Sequence, residues 1–469
     1  THFISSAASD VYKRQAQNFM TAKVTTPAPK EFSDRLYFIN NLGAADVRAS
    51  RAVWNNPVGG ALQWNNPPRN AILDTKGEIR WYMKADRIYD PESLYDAGIM
   101  MGFHQNADGA LSWGYGQHYA KYDLLGRKVF NRRLPANYAD FSHAMMPAEN
   151  GGYFLRVASP DLRRADDTRV RTVRDVIIEV DASGEVVDEW RLFEILDPNR
   201  NIVLKSIDQG AVCLNIDTSQ SGKTLSAEQL AKLEAQHAFG DIAGTGAGRN
   251  WAHVNSVDHD PVDDSIILSS RHQSAVVKIG RDKQVKWILA APNGWRDGLK
   301  DKVLTPVGKD GRPLSCRIGK CEGGFDWTWT QHTAWKIDEL SKGDIVYVSV
   351  FDNGDGRAFV QPEDQNEKYS RAVVYKIDQK AMTVEQVWEY GKERGHELYS
   401  PITSSVEYQA DKNSVVVYWA SIGTGSKTGP APVLTEFRWG ETKPAFEMHL
   451  KGGMGYRALP IDAQKAFVR

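Results

Sequence analysis

Only three cysteines occur in 469 residues, too few for a disulfide framework to hold the fold, so an apolar core must do that work. No run of about 18 apolar residues exists, which excludes a membrane-spanning helix. There is almost no net charge: the formal balance is −1, and it offers no electrostatic reason for nucleic acid or a membrane surface as partner. No secretory leader is visible. The opening Thr1–Gln15 stretch is polar and without pattern. Residues 1–30 are therefore set aside as a non-native or disordered terminus, and 31–469 are read as one domain. With 41% hydrophobic residues, that length supports a large core.

What the chain does have is repetition. Ser142-His143-Ala144, Ala252-His253-Val254 and Gln331-His332-Thr333 each precede about ten mixed residues, a polar turn and a strand pattern. Those patterns are Tyr153–Ala158, Ser265–Ser270 and Asp344–Ser349. A second signature follows: an apolar strand, a turn that is often Asp-x-x-Gly, and a strand ending on an aromatic. It occurs at Ile72–Trp81, Lys121–Phe130 and Ile178–Trp190, more loosely at Val277–Trp287 and Tyr375–Trp388, and in degenerate form at Leu434–Leu450. Asp and Gly suit such turns because both tolerate their backbone angles. Two hairpins per unit and about six units predict an all-β, six-bladed β-propeller with loop and short helical insertions. Residues 217–240, including 226–236, read as one amphipathic helix within such an insertion.

In a propeller the innermost strands line a central channel. The three histidines then sit at one repeat position and converge on one axis. Arg271 ends the partner strand of the His253 hairpin, which returns it to His253. Pairing of Arg271 with Asp258 or Asp260 is the alternative. The tryptophans around His332 suit either a planar substrate or core packing. Three histidines could ligate zinc. An arginine among them, with no carboxylate evident, fits a small anion better. An imidazole can also serve as nucleophile and a second as acid or base, which suits transfer of a sulfuryl or phosphoryl group. Asp352–Gly356 is too short for a calcium loop and reads as a turn. Cys316 and Cys321 flank a turn-like tetrapeptide; a local disulfide and a free pair are both open on spacing alone. Cys213 reads as a buried small hydrophobe.

Trp251–His272 and Gly324–His332 resemble the bacterial periplasmic arylsulfate sulfotransferases, which use no nucleotide sulfate donor. The similarity runs from about residue 40 to the end. It implies a six-bladed propeller with its site in the channel. His332 would be the nucleophile, sulfated in passing. His143, His253 and Arg271 would hold the sulfuryl oxygens and assist the phenolic oxygen, joined by Asn255 and by Thr403 of the last channel loop. Cys316 and Cys321 would form the family's disulfide, and the enzyme would be periplasmic. The implied reaction is ping-pong transfer from an aryl sulfate ester to a phenol, with no metal and no cofactor. The family dimerises through a small N-terminal β-domain. Only about 40 residues precede the first blade here, so a homodimer is not assured by the resemblance. Two other classes remain open on the residues alone: a non-catalytic propeller scaffold, and a propeller oxidoreductase with a metal or quinone cofactor.

Overall fold

The computed structural model describes residues 20–42, 68–85, 99–159, 175–200, 250–360 and 363–465, together with residue 88, parts of 162–170 and 202–207, and residues 223 and 226–235. Cys213 lies outside the described residues.

Six sheets, each with a four-stranded antiparallel core, form the blades of a β-propeller. Blades 2 to 6 begin, innermost strand first, at Met101–Gln105, Met145–Pro147, Val254–Asp260, Thr333–Lys336 and Ser405–Gln409. Blade 1 is assembled from both ends of the chain. Its inner strand is Met454–Pro460, which pairs antiparallel with Leu36–Leu42. Closure of this kind ties the two ends of the chain into one blade and so holds the ring shut. Around the ring, each inner strand neighbours the next.

The repeated turn is what the composition predicts. In the first three copies the glycine N–H donates to the carbonyl of the aspartate three residues earlier, as from Gly126 to Asp123 at 3.0 Å. Gly126 has a φ of +79°, which glycine adopts without steric cost. The looser fourth copy places Lys283 there at +67°. In the outer hairpin of blades 1 to 4 the register shifts near the turn, and in blade 5 it shifts mid-strand, between Val374 and Tyr375. The degenerate sixth hairpin pairs without that shift.

Apolar residues fill the spaces between blades. Tyr37, Tyr418, Leu434 and Phe446 join blades 6 and 1, and Phe351, Trp388, Val415 and Trp419 join blades 5 and 6. Trp251, Trp327 and Trp329 are fully buried in this way. Core packing, not substrate stacking, is therefore their role.

Two features extend the expected layout. Strand Thr21–Thr26, inside the segment set aside as a terminus, pairs with Phe446–Lys451 as the outer strand of blade 6. Its alternating half-buried Ala22, Val24 and Thr26 supply the sheet-facing side. The insertion helix spans Ala227–Ala235. Ser226 caps it: its hydroxyl accepts the Gln229 N–H at 3.1 Å, while the Gln229 side chain accepts the Ser226 N–H at 2.9 Å. Among the described residues, no helix is long and apolar enough to cross a membrane.

Candidate active site

Three loops lead the chain into the inner strands of blades 3, 4 and 5, and each delivers its histidine to the channel. The turns are tight. His143 and His253 sit in the left-handed region at φ of +70° and +47°, and Thr330 does so at +46° in the third loop. Such backbone persists only where surrounding bonds enforce it, and it gathers at functional sites. Here Arg271 N–H donates to His253 O at 3.1 Å, and His332 N–H donates to Phe351 O at 3.0 Å. Ahead of His332, the buried Asp352 carboxylate accepts Trp329 N–H at 2.8 Å and Arg371 Nε–H at 2.8 Å. The Asp352–Gly356 turn thus anchors this loop.

The rings converge as the repeat requires. The His143 centroid lies 5.0 Å from that of His253 and 5.9 Å from that of His332. All three are buried. The Arg271 guanidinium donates to Thr330 O and, at 3.0 Å, to Pro401 O, which ties together loops of blades 4, 5 and 6. The alternative pairing of Arg271 fails. Asp260 is taken by Lys278 and Lys336, and Asp258 accepts the N–H groups of Lys336 and His259.

Hydrogen bonds distinguish the histidines. A carbonyl only accepts, so the 3.0 Å contact of His332 Nδ1 with Ser404 O puts a proton on Nδ1. Burial, with the charges of Arg457 and Arg271, holds His332 well below the usual histidine range, and so neutral. The lone pair is then on Nε2. That atom is buried and meets no hydrogen-bond partner among the described residues. His253 is the opposite tautomer: its Nδ1 accepts from the Asn250 amide at 2.9 Å, which leaves the proton on Nε2. One imidazole therefore offers a lone pair and another offers an N–H, and both rings neighbour His143. This geometry supports attack by one ring on an electrophile whose oxygens the other ring and Arg271 stabilise.

The matching sequence family decides whose geometry this is. Residues 21–457 match the arylsulfotransferase family. The chain belongs to that family. It is 46% identical over 425 residues to an arylsulfate sulfotransferase of Escherichia coli O6:H1, covering 87% of this chain and 69% of that protein. A second arylsulfate sulfotransferase, from Lelliottia amnigena, is 44% identical over the same shares.

Within this arylsulfotransferase, Asn255 and Thr403 act on the loops. Asn255 Nδ2–H donates to Gln331 O at 3.2 Å, beside His332. The Thr403 hydroxyl donates to Ile402 O at 2.6 Å, while the next residue, Ser404, supplies the carbonyl that orients His332. Two residues that the repeats did not reveal also reach the site. The Tyr456 ring lies 5.1 Å from His332, and its hydroxyl donates to His143 O at 3.2 Å. Arg457 follows on the same closing strand. Among the described residues, no group of three or more His, Cys, Asp or Glu side chains is placed to hold a metal ion.

Cys316 and Cys321 are bridged across a two-stranded ribbon. Gly319 at its tip lies against the Trp329 ring, three residues before His332, and a Cβ there would stand 2.7 Å from that ring. The bridge therefore braces the loop leading to the nucleophile candidate. Closing so short a loop stabilises by about 2 kcal/mol in the chain-entropy picture. Thiol titration of the unfolded, unreduced protein should count one thiol, from Cys213. The Cys316→Ser/Cys321→Ser protein should melt lower. A count of three would contradict the bridge.

Proposed function

We propose that this arylsulfate sulfotransferase works by a ping-pong reaction through a sulfohistidine at His332. The carrying observation is the buried, neutral His332 with its Nε2 lone pair unengaged among donors. In the first half-reaction Nε2 attacks the ester sulfur. An N–S bond forms, the S–O bond to the aryl group breaks, and its electron pair leaves on the phenolate oxygen. A phenol, with pKa about 10, departs far more readily than an alkoxide. In the second half-reaction the acceptor's oxygen attacks the same sulfur. The N–S pair returns to Nε2, and the acceptor's proton passes to His143 or onward to solvent. His253 Nε2–H and Arg271 face the sulfuryl oxygens, where charge is greatest during transfer. Asn255 and Thr403 hold the loops that set these distances.

The substrates are small: an aryl sulfate donor and a phenolic acceptor. Neither nucleic acid nor a membrane takes part, and no nucleotide or metal is needed. The bridged cysteines fit an oxidising compartment, and we assign the enzyme to the bacterial periplasm.

Two-substrate kinetics test the mechanism. Reciprocal plots against donor concentration at several acceptor concentrations should give parallel lines. Intersecting lines would mean that donor and acceptor bind together and that sulfur moves directly between them.

A further inference from the structure

Arg457 lies on the closing strand, and only 4% of its surface is exposed. Its Nη2–H donates to Asn255 O at 2.6 Å. Its guanidinium carbon lies 5.0 Å from the Trp335 ring centroid and 5.3 Å from that of Tyr456. Nε and Nη1 meet no hydrogen-bond acceptor among the described residues. A buried cation normally keeps a carboxylate partner, because an uncompensated charge in low dielectric is costly.

Among the acids nearby, only Glu407 acts on this charge, and it offsets it in part. Below Arg457, a cavity of about 180 Å³ is lined by His104, Asp258, Trp335, Lys336 and Glu407. Burial pushes both Asp258 and Glu407 up to about 7, so near neutrality each is largely uncharged or half-charged. Lys336 is already paired with Asp260 and Asp338. Burial and the Arg457 charge push His104 down to about 3, so it is neutral. The remaining positive charge of Arg457 also acts on His332, which is faced by His143, Tyr456 and Arg271.

The bonds lead the same way. Asn255, which accepts from Arg457 through its carbonyl, donates through its side chain to Gln331 O, next to His332. On the other side, Tyr456 O accepts Ser404 N–H at 3.0 Å, and Ser404 O accepts His332 Nδ1–H. The closing strand therefore grips the His332 ring from two directions, and one of its grips carries a charge.

We propose that Arg457 is a positioning residue for sulfuryl transfer: it fixes the His332 loop through Asn255, and its charge, bonded by no carboxylate, adds to burial in disfavouring a proton on Nε2 while drawing the anionic ester into the channel. This rests on the sulfohistidine reading. The charge disfavours a proton on His332, so its removal makes protonation easier and moves the acid limb of the reaction to higher pH.

The test is the rate of the first half-reaction in the intact protein. A chromogenic nitrophenyl sulfate is the donor, no acceptor is added, and pH runs from 4.5 to 9. Arg457→Gln should lower the burst rate by about 10–100-fold, raise KM for the donor, and move the acid limb upward by about one pH unit or more. Arg457→Lys keeps the charge and loses the reach to Asn255 O. It should hold the limb near the wild-type position while the rate stays low. A folded Gln variant with an unmoved limb would reduce Arg457 to a structural role and overturn the proposal. So would a folded Lys variant with an upward-shifted limb, which decides the matter if the Gln variant does not fold. Failure of the wild type to gain sulfonate mass would instead refute the nucleophile assignment itself, whatever Arg457 does.

Discussion

Replacing His332 with Asn should cut sulfuryl transfer by about 10⁴-fold or more, the scale on which loss of a covalent nucleophile acts. The fold should survive. Asn is smaller than His, and its amide can donate to Ser404 O as Nδ1 does now. What it lacks is a basic nitrogen at the position of Nε2. The neighbours cannot substitute. His253 presents an N–H from Nε2 because its Nδ1 accepts from Asn250, and the His143 centroid lies 5.9 Å away. Turnover by chromogenic assay and melting by circular dichroism separate the outcomes. Near-normal turnover in a folded variant would move the nucleophile elsewhere.

The second large effect is at Arg271. Its guanidinium spans the loops of three blades and bears a fixed charge beside His332. Arg271→Ala should slow the phenol burst by about 10²–10³-fold, comparable to losing one oxyanion donor. Burst size should stay near one equivalent, because the nucleophile is intact. Thr330 O and Pro401 O lose a donor, so the melting temperature should fall as well; an unmade buried hydrogen bond costs about 1–3 kcal/mol. Arg271→Lys keeps the charge and one donor, and should recover part of the rate. A burst of reduced size at an unchanged rate would point to partial unfolding and against charge stabilisation.

Much of this site is legible in the chain because it is periodic. His143, His253 and His332 each stand at the head of an inner strand, so equivalence in sequence becomes convergence in space. Arg271 follows from hairpin geometry alone, since the end of a strand returns beside the start of its partner. Tyr456 and Arg457 were hidden for a definite reason. Their strand, Met454–Pro460, comes after the last degenerate hairpin and pairs with Leu36–Leu42 at the other end of the chain. No local pattern announces a pairing over that separation. Strand Thr21–Thr26 was missed likewise, since its partner is Phe446–Lys451. The choice of Ser404 as the residue that orients His332 is a backbone property, and side-chain chemistry could not have revealed it. The repeat alone does not choose among the three histidines; the family resemblance points to His332, and the hydrogen-bond partners add the tautomers, which no sequence pattern specifies.

The central claim is a covalent bond from sulfur to His332 Nε2, and intact-protein mass spectrometry tests it most directly. The enzyme is incubated with an aryl sulfate and no acceptor, then analysed near neutral or alkaline pH, because the N–S bond of a sulfated imidazole is acid-labile. The account predicts one equivalent of phenol released in a burst, a mass gain of one SO3 group that maps to His332, and loss of that mass when a phenol is added. Turnover to a sulfated acceptor with no mass gain at any stage, and no burst, would contradict it.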